Sequence, residues 1–185
     1  MILTDSNRPP RRLRGRSEPP RLAVFGVTAA DVVTAVGGFV CDHVMAGWNV
    51  MVVLEEPDDD PAARRGLRIL GVTATDLDSV ALPLPEWPDV LLIAAPLYSQ
   101  RGPVRRQVAV TSRRPTTELL LWGGDTGGAE FAGWVRSPRR MSYAAMAFKQ
   151  QALRALNAAG ALDETERVLC RRDQVSPERR GIVNA

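Results

Sequence analysis

Hydrophobic positions along the chain fall into short, nearly continuous runs that alternate with segments of helical spacing. The runs at 22–27, 48–54, 89–95 and 118–122 are typical of strands buried on both faces, and a weaker strand is predicted within 72–77. Apolar residues recur at helical spacing between these runs. This pattern predicts helices over 28–46, 62–70, 104–111 and 142–159.

Alternation of strands and helices predicts an α/β fold of three layers. Parallel strands joined through helices form a mostly parallel sheet with helices on both faces. The count of runs predicts four or five strands in a single Rossmann-like or flavodoxin-like domain.

Composition divides the chain into three parts. Residues 1–20 are rich in arginine and proline, so we expect a disordered basic arm. Residues 21–160 carry the α/β pattern. Residues 161–185 are predicted to hold a short amphipathic helix over 163–172 and a loose tail.

The turn after the first strand lacks the glycines of a dinucleotide-binding loop. It contains Gly26, but Thr28 stands where the fingerprint needs a second glycine. Thr28 and Asp31 instead have the spacing of a capping box, and Gly47 is placed to end the helix. The sequence therefore predicts the start of a nucleotide-binding fold without its usual phosphate site.

Ligands of open parallel sheets bind beyond the carboxyl ends of the strands, which selects four loops in this chain. Each loop also has a simpler interpretation: a cap at 26–29, a solvated acidic loop at 55–58, a polar turn at 98–102, and a flexible glycine-rich connection at 123–128. The candidate ligand-binding residues are Gly26, Thr28, Glu55, Tyr98, Ser99, Gly123, Gly124, Asp125 and Thr126.

Sequence motifs for metal binding and nucleophilic catalysis are missing. His43 is the only histidine, and it lies on the apolar stripe of its helix, so we expect it to be packed. Cys41 and Cys170 are far apart, and no G-x-S-x-G or phosphate-loop motif occurs. The sequence predicts no metal site, and it identifies neither catalytic residues nor a cofactor.

The charge of the chain permits acidic partners without requiring them. The formal net charge is +3, and Lys149 is the only lysine among 24 basic residues, so single arginines carry little functional signal. The amino-terminal arm is the exception, because it could contact nucleic acid or could be only a solvated tail. Its arginines are Arg8, Arg11, Arg12, Arg14 and Arg16.

Three functions remain open from the sequence. The first is a non-catalytic regulatory or protein-interaction module, in which Trp134, Met141, Tyr143 and Met146 could form a partner or self-association surface or could equally belong to the core. The others are a nucleic-acid-associated protein that uses the arm, and an enzyme that acts on a small molecule or nucleotide at the strand ends. No apolar run reaches the roughly 20 residues of a membrane span, so we expect a cytoplasmic protein.

Overall fold

The computed structural model describes residues 18–56, 60–124, 129–158 and 162–174. Within them the chain forms a main sheet of seven strands in the order β3-β2-β1-β4-β5-β9-β6, and a second sheet that pairs β7 with β8. In chain order the strands are β1 (Arg21–Gly26), β2 (Asn49–Leu54), β3 (Ala74–Asp76), β4 (Val90–Ala94), β5 (Glu118–Trp122), β6 (Trp134–Arg136), β7 (Arg139–Arg140), β8 (Thr165–Glu166) and β9 (Val168–Arg171).

Five helices cover the sheet. They are α1 (Ala29–Met45), α2 (Pro61–Ile69), α3 (Ala95–Gln100), α4 (Gly102–Thr111) and α5 (Tyr143–Ala155). Helices α1, α2 and α5 pack against one another in one layer. Because crossovers between parallel strands are right-handed, α3 and α4, which lead from β4 to β5, lie on the opposite face. The predicted α/β fold with a mostly parallel sheet is confirmed.

The apolar runs are continuous because their strands are covered on both faces. Every residue of β4 is buried, as are all residues of β1 after Arg21. Parallel strands enclosed in this way have no solvated face that would select alternate polar residues.

Strand order creates a crevice between β1 and β4. The chain leaves β1 toward β2 on one side and leaves β4 toward β5 on the other, and both pairs are parallel. The loops at the carboxyl ends of β1 and β4 therefore diverge, which is where open α/β sheets bind ligands.

The carboxyl-terminal segment departs from the sequence prediction. The predicted helix over 163–172 is wrong, because β8 and β9 occupy this segment. Leu169 pairs with Leu121 of β5, and Cys170 pairs with Val135 of β6, both in antiparallel register. Burial between two strands outweighs the amphipathic pattern of the segment alone. Strands β9 and β6 bring the sheet to seven strands instead of the expected four or five.

Two smaller differences concern helices. The predicted polar turn at 98–102 is wrong, because Tyr98 and Ser99 belong to α3. Helix α5 also departs from the expectation that apolar residues face the core, because Phe148 is 45% exposed whereas Lys149 is buried. The α5 face that packs on α1 and α2 thus carries a charge.

Helix α1 is broken in its middle, and the break explains the presence of Gly38 there. Val36 has a non-helical φ of −134°. The freed amides of Gly38 and Phe39 donate to the two carboxylate oxygens of Glu166, each at 2.8 Å. A Cβ on Gly38 would overlap Met141 Sδ and crowd Glu166 Oε1. Glycine thus allows the carboxylate to cap the second half of the helix.

The single histidine and the two cysteines are packed in the interior. His43 is 8% exposed, its Nδ1 lies 2.8 Å from the Phe39 carbonyl, and its ring contacts Phe39 and Trp48, so the predicted structural role is confirmed. Cys41 and Cys170 are buried, and neither forms a disulfide. Burial, with the charges of Asp42 and Glu166, raises the pKa of the Cys41 thiol to about 11.

Candidate active site at the carboxyl edge of the sheet

Asp31 stands at the carboxyl end of β1, in the first turn of α1. Thr28 is the N-cap, and its Oγ1 accepts a hydrogen bond from the Asp31 amide at 3.1 Å, so the predicted cap is confirmed. The Asp31 carboxylate in turn accepts a hydrogen bond from Trp122 Nε1 at 3.2 Å. This bond joins the start of α1 to the end of β5.

The pKa of the Asp31 carboxyl is raised above its ordinary value. Burial penalises its charged form, and this effect exceeds the lowering caused by hydrogen bonds from Trp122 and from the Val27 amide. A half-buried carboxyl group with a raised pKa at a ligand-binding edge is typical of an acid–base residue.

Trp122 fills the space above the ends of β1 and β4. Its side chain is almost fully buried, and it reaches across Ala94 of β4 toward Gly26. A Cβ on Gly26 would overlap Val32 Cγ2 and would lie 3.6 Å from the indole. Gly26 is therefore needed for the close approach of Val32 to the end of β1.

A salt bridge ties together three loops at the same edge. Arg101 Nε lies 3.1 Å from Glu55 Oε1, and its Nη2 lies 3.5 Å from Asp78 Oδ1. The Glu55 amide donates to the Gly26 carbonyl at 3.0 Å, which fixes this residue beside the end of β1. With 21% of its side chain exposed, Glu55 is an anchored ion-pair partner and not a fully solvated loop residue.

Two cavities have lining residues at or near this edge of the sheet. One of about 320 Å³ is lined by Ala29, Leu54, Arg64, Arg68 and Asp76, among others. Another of about 530 Å³ is lined by residues that include Asp78 and Arg101. Both volumes are in the range of small-molecule sites. In the part of the chain that the structure describes, no three His, Cys, Asp or Glu side chains converge to hold a metal ion.

The other residues predicted to bind a ligand lie in different surroundings where the structure describes them. The Tyr98 ring lies in an aromatic cluster with Phe131 and Trp134, at 6.3 and 6.1 Å between centroids. The Ser99 carbonyl accepts a hydrogen bond from Arg105.

Two glycines follow β5. Gly123 has a φ of +71°, which favours glycine, whereas a Cβ on Gly124 would lie 3.1 Å from that of Ala95. Where the chain leaves β5, Gly123 is therefore favoured by the backbone conformation and Gly124 by close packing against Ala95. Asp125, Thr126 and the arginines of the amino-terminal arm lie outside the described residues, so their roles stay predictions.

Sequence reasoning missed the three side chains that define this edge. The sequence predicts Asp31 only as part of a cap, although its position after the first strand is a usable signal. Arg101 does not stand out, because arginine is abundant in the chain. Trp122 is predicted as part of a strand, and nothing in the sequence indicates that its indole reaches Asp31.

Comparison with known proteins supports the fold. No protein-family model and no curated protein sequence matches the chain. Among solved structures, the zinc-inhibited form of teicoplanin deacetylase Orf2 is 14% identical with a TM-score of 0.53, covering 81% of this chain and 97% of that one. The A40926 pseudoaglycone deacetylase Dbv21 is 13% identical with a TM-score of 0.52, covering 83% and 97%.

These similarities correct the first functional hypothesis. The prediction of a non-catalytic regulatory or protein-interaction module is contradicted, because the solved structures named above that share this fold are deacetylases. The sequence leaves open whether the chain is an enzyme and places the non-catalytic module first, and this preference loses its support for the same reason. At these identities the likeness shows the fold alone: the chain is similar to deacetylases in the architecture of its single α/β domain.

Proposed function

We propose that this chain is an enzyme that binds a small molecule at the carboxyl edge of the sheet, with Asp31 as its acid–base group. The observation that carries the proposal is the half-buried Asp31 carboxyl, which has a raised pKa and a hydrogen bond from Trp122. It lies at the topological switch point between β1 and β4. A cytoplasmic location belongs to the same proposal.

Hydrolysis of an acetyl amide is the reaction class that we propose. The support is that solved structures with this fold are deacetylases. In such a step the Asp31 carboxylate accepts a proton from water as the oxygen attacks the acetyl carbonyl. The proton then passes to the leaving nitrogen as the C–N bond breaks, which yields acetate and an amine.

Arg101 is the cation that we propose for binding. Its guanidinium bridges Glu55 and Asp78, so two loops hold it in place. A charged donor fixed at the reaction edge can stabilise negative charge that develops on a carbonyl oxygen. Its 39% side-chain exposure leaves part of the group accessible from solvent.

The test is release of product from acetamides by the purified full chain. We expect the wild-type protein to release amine and acetate from 4-nitroacetanilide or teicoplanin, and Asp31→Asn to lose roughly 100-fold or more in kcat/KM, because general-base catalysis typically contributes that much. Since the active form is the carboxylate, activity should fall as pH decreases through the raised pKa of Asp31.

Asp173→Asn is the matched control. Asp173 is an exposed aspartate that pairs with Arg171, so its change should leave activity unaltered. Absence of product from wild-type protein with every acetamide tried would refute amide hydrolysis. Full activity of a folded Asp31→Asn variant would refute the role of Asp31.

A further inference from the structure

The only lysine of the chain is buried beside an internal carboxylate. The Lys149 side chain is 6% exposed, and its Nζ lies 2.5 Å from Glu166 Oε1. Among the described lysine and arginine residues, it is the only one that is buried. A charge in such a place must be paired and hydrogen-bonded to be tolerated.

Glu166 and Lys149 differ in how many of their hydrogen-bonding positions have a partner. Glu166 accepts three hydrogen bonds, from Lys149 and from the amides of Gly38 and Phe39. A lysine ammonium has three N–H donors. Within the described ranges, Glu166 is the one acceptor for Lys149 Nζ, so two donors lack a protein partner. Buried donors of this kind bind water or a ligand.

Lys149 and Glu166 both line a cavity of about 500 Å³ between α1, α5 and β8. Thr34 and Ala35 of α1 line one side, and Leu153 and Leu162 supply an apolar surface. The cavity also reaches Gly123, at the carboxyl end of β5. A mostly apolar cavity of this size with a few fixed polar groups has the composition of a small-molecule site.

The charges around the cavity balance. Lys149 and Glu166 cancel in the interior, and Asp163 and Arg167 form an exposed pair at 3.9 Å. An anionic ligand would lie beside Glu166, and a cationic ligand would lie beside Lys149. The electrostatics therefore favour an uncharged ligand.

We propose that this cavity is a second ligand site, which takes an uncharged small molecule that offers a hydroxyl or carbonyl oxygen to Lys149 Nζ and an apolar face to Leu153 and Leu162. The site goes beyond the proposed enzymatic function, because it uses neither Asp31 nor Arg101. Its test requires no activity.

The single lysine makes a direct test possible. Full-length protein labelled with ¹³C and ¹⁵N in lysine has one side-chain signal set, that of Lys149. Cyclohexanol and cyclohexanecarboxylate are probes with the same ring and different head groups. We expect cyclohexanol to shift the Lys149 Cε and Nζ resonances saturably, and cyclohexanecarboxylate to bind more weakly.

Two variants leave the lysine in place and separate the cavity from the surface. Ala35→Leu fills the cavity and should abolish the saturable shift, whereas Ala147→Leu, at an exposed position of α5, should retain it. The proposal is overturned if cyclohexanol causes no saturable shift, which would assign the two donors to water. Equal shifts in Ala35→Leu, or tighter binding of the carboxylate, would overturn it as well.

Discussion

Two carboxylates lie at helix α1, and their surroundings differ. Asp31 lies in the first turn, is half-buried, and accepts hydrogen bonds from the Trp122 indole and the Val27 amide. Glu166 lies at the break of the helix, is buried, and accepts hydrogen bonds from two amides and a lysine. Burial raises the pKa of both groups, but only Glu166 has a counter-charge that opposes the shift.

This difference separates a structural carboxylate from a reactive one. Glu166 has both oxygens occupied, and its charge is compensated at a distance of 2.5 Å. It fixes the geometry of α1 against α5 and β8. Asp31 has no cation among the causes that set its pKa, and it lies where the sheet offers a ligand site. A raised pKa gains functional meaning only together with exposure and position.

Lys149 supplies the counter-charge of Glu166, so its removal tests the difference between the two carboxylates most severely. Lys149→Met leaves the Glu166 carboxylate buried without its counter-charge, and we expect a loss of about 3–5 kcal/mol in the free energy of unfolding. Urea denaturation measures it. The double variant Lys149→Met with Glu166→Gln should recover part of the loss, since no charge is then stranded.

Arg140→Met is the matched control for that change. Arg140 forms an exposed pair with Glu164, so its replacement should cost at most about 1 kcal/mol. A loss for Lys149→Met that is no larger than this would show that the Glu166 carboxylate does not need its partner.

Substitution of Gly38 tests whether the cap formed by Glu166 needs the space that a glycine leaves at this position. Alanine is normally favoured over glycine within a helix by about 1 kcal/mol, yet here its Cβ would overlap Met141 Sδ. We expect Gly38→Ala to destabilise the protein by about 1–3 kcal/mol, as overpacking does. Thermal unfolding measures it, with Ala144→Gly at an exposed position of α5 as a control for propensity alone. A stabilised Gly38→Ala variant would mean that Met141 moves aside freely.

A last substitution, at Trp122, tests the environment of Asp31, and the change that we expect there is small. Trp122→Phe removes the indole N–H that lowers the pKa of Asp31, so this pKa should rise further, as a ¹³C NMR titration of the carboxyl carbon would measure. Because the folded-state pKa is above the unfolded one, the stability that this group contributes is lost as pH rises through the folded value. In Trp122→Phe that loss should occur at higher pH. Trp87→Phe should leave the titration of Asp31 unchanged.

The parallel part of the fold could be predicted because its signals are local. The apolar runs of β1 and β4 and the cap formed by Thr28 are each contained in a few neighbouring residues. Strand β9 could not be predicted in this way, because its pairing partners Leu121 and Val135 are distant in sequence. The hydrogen bonds from Trp122 to Asp31 and from Gly38 to Glu166 join residues that are 91 and 128 positions apart in the sequence. No local pattern encodes such contacts, so the candidate site emerged only in three dimensions.

The insertion of β9 between β5 and β6 has a consequence for the order of assembly during synthesis. Strands β2, β3, β4 and β5 each pair in parallel with a strand that precedes them in the chain. Among the described residues, β6 pairs in the main sheet only with β9, which is synthesised more than 30 positions later. Until 168–171 have been synthesised, β5 lacks its antiparallel partner and β6 has no strand that joins it to the parallel part of the sheet. Strand β9 is thus the last strand of the main sheet to be synthesised, and it joins β6 to the parallel part of the sheet.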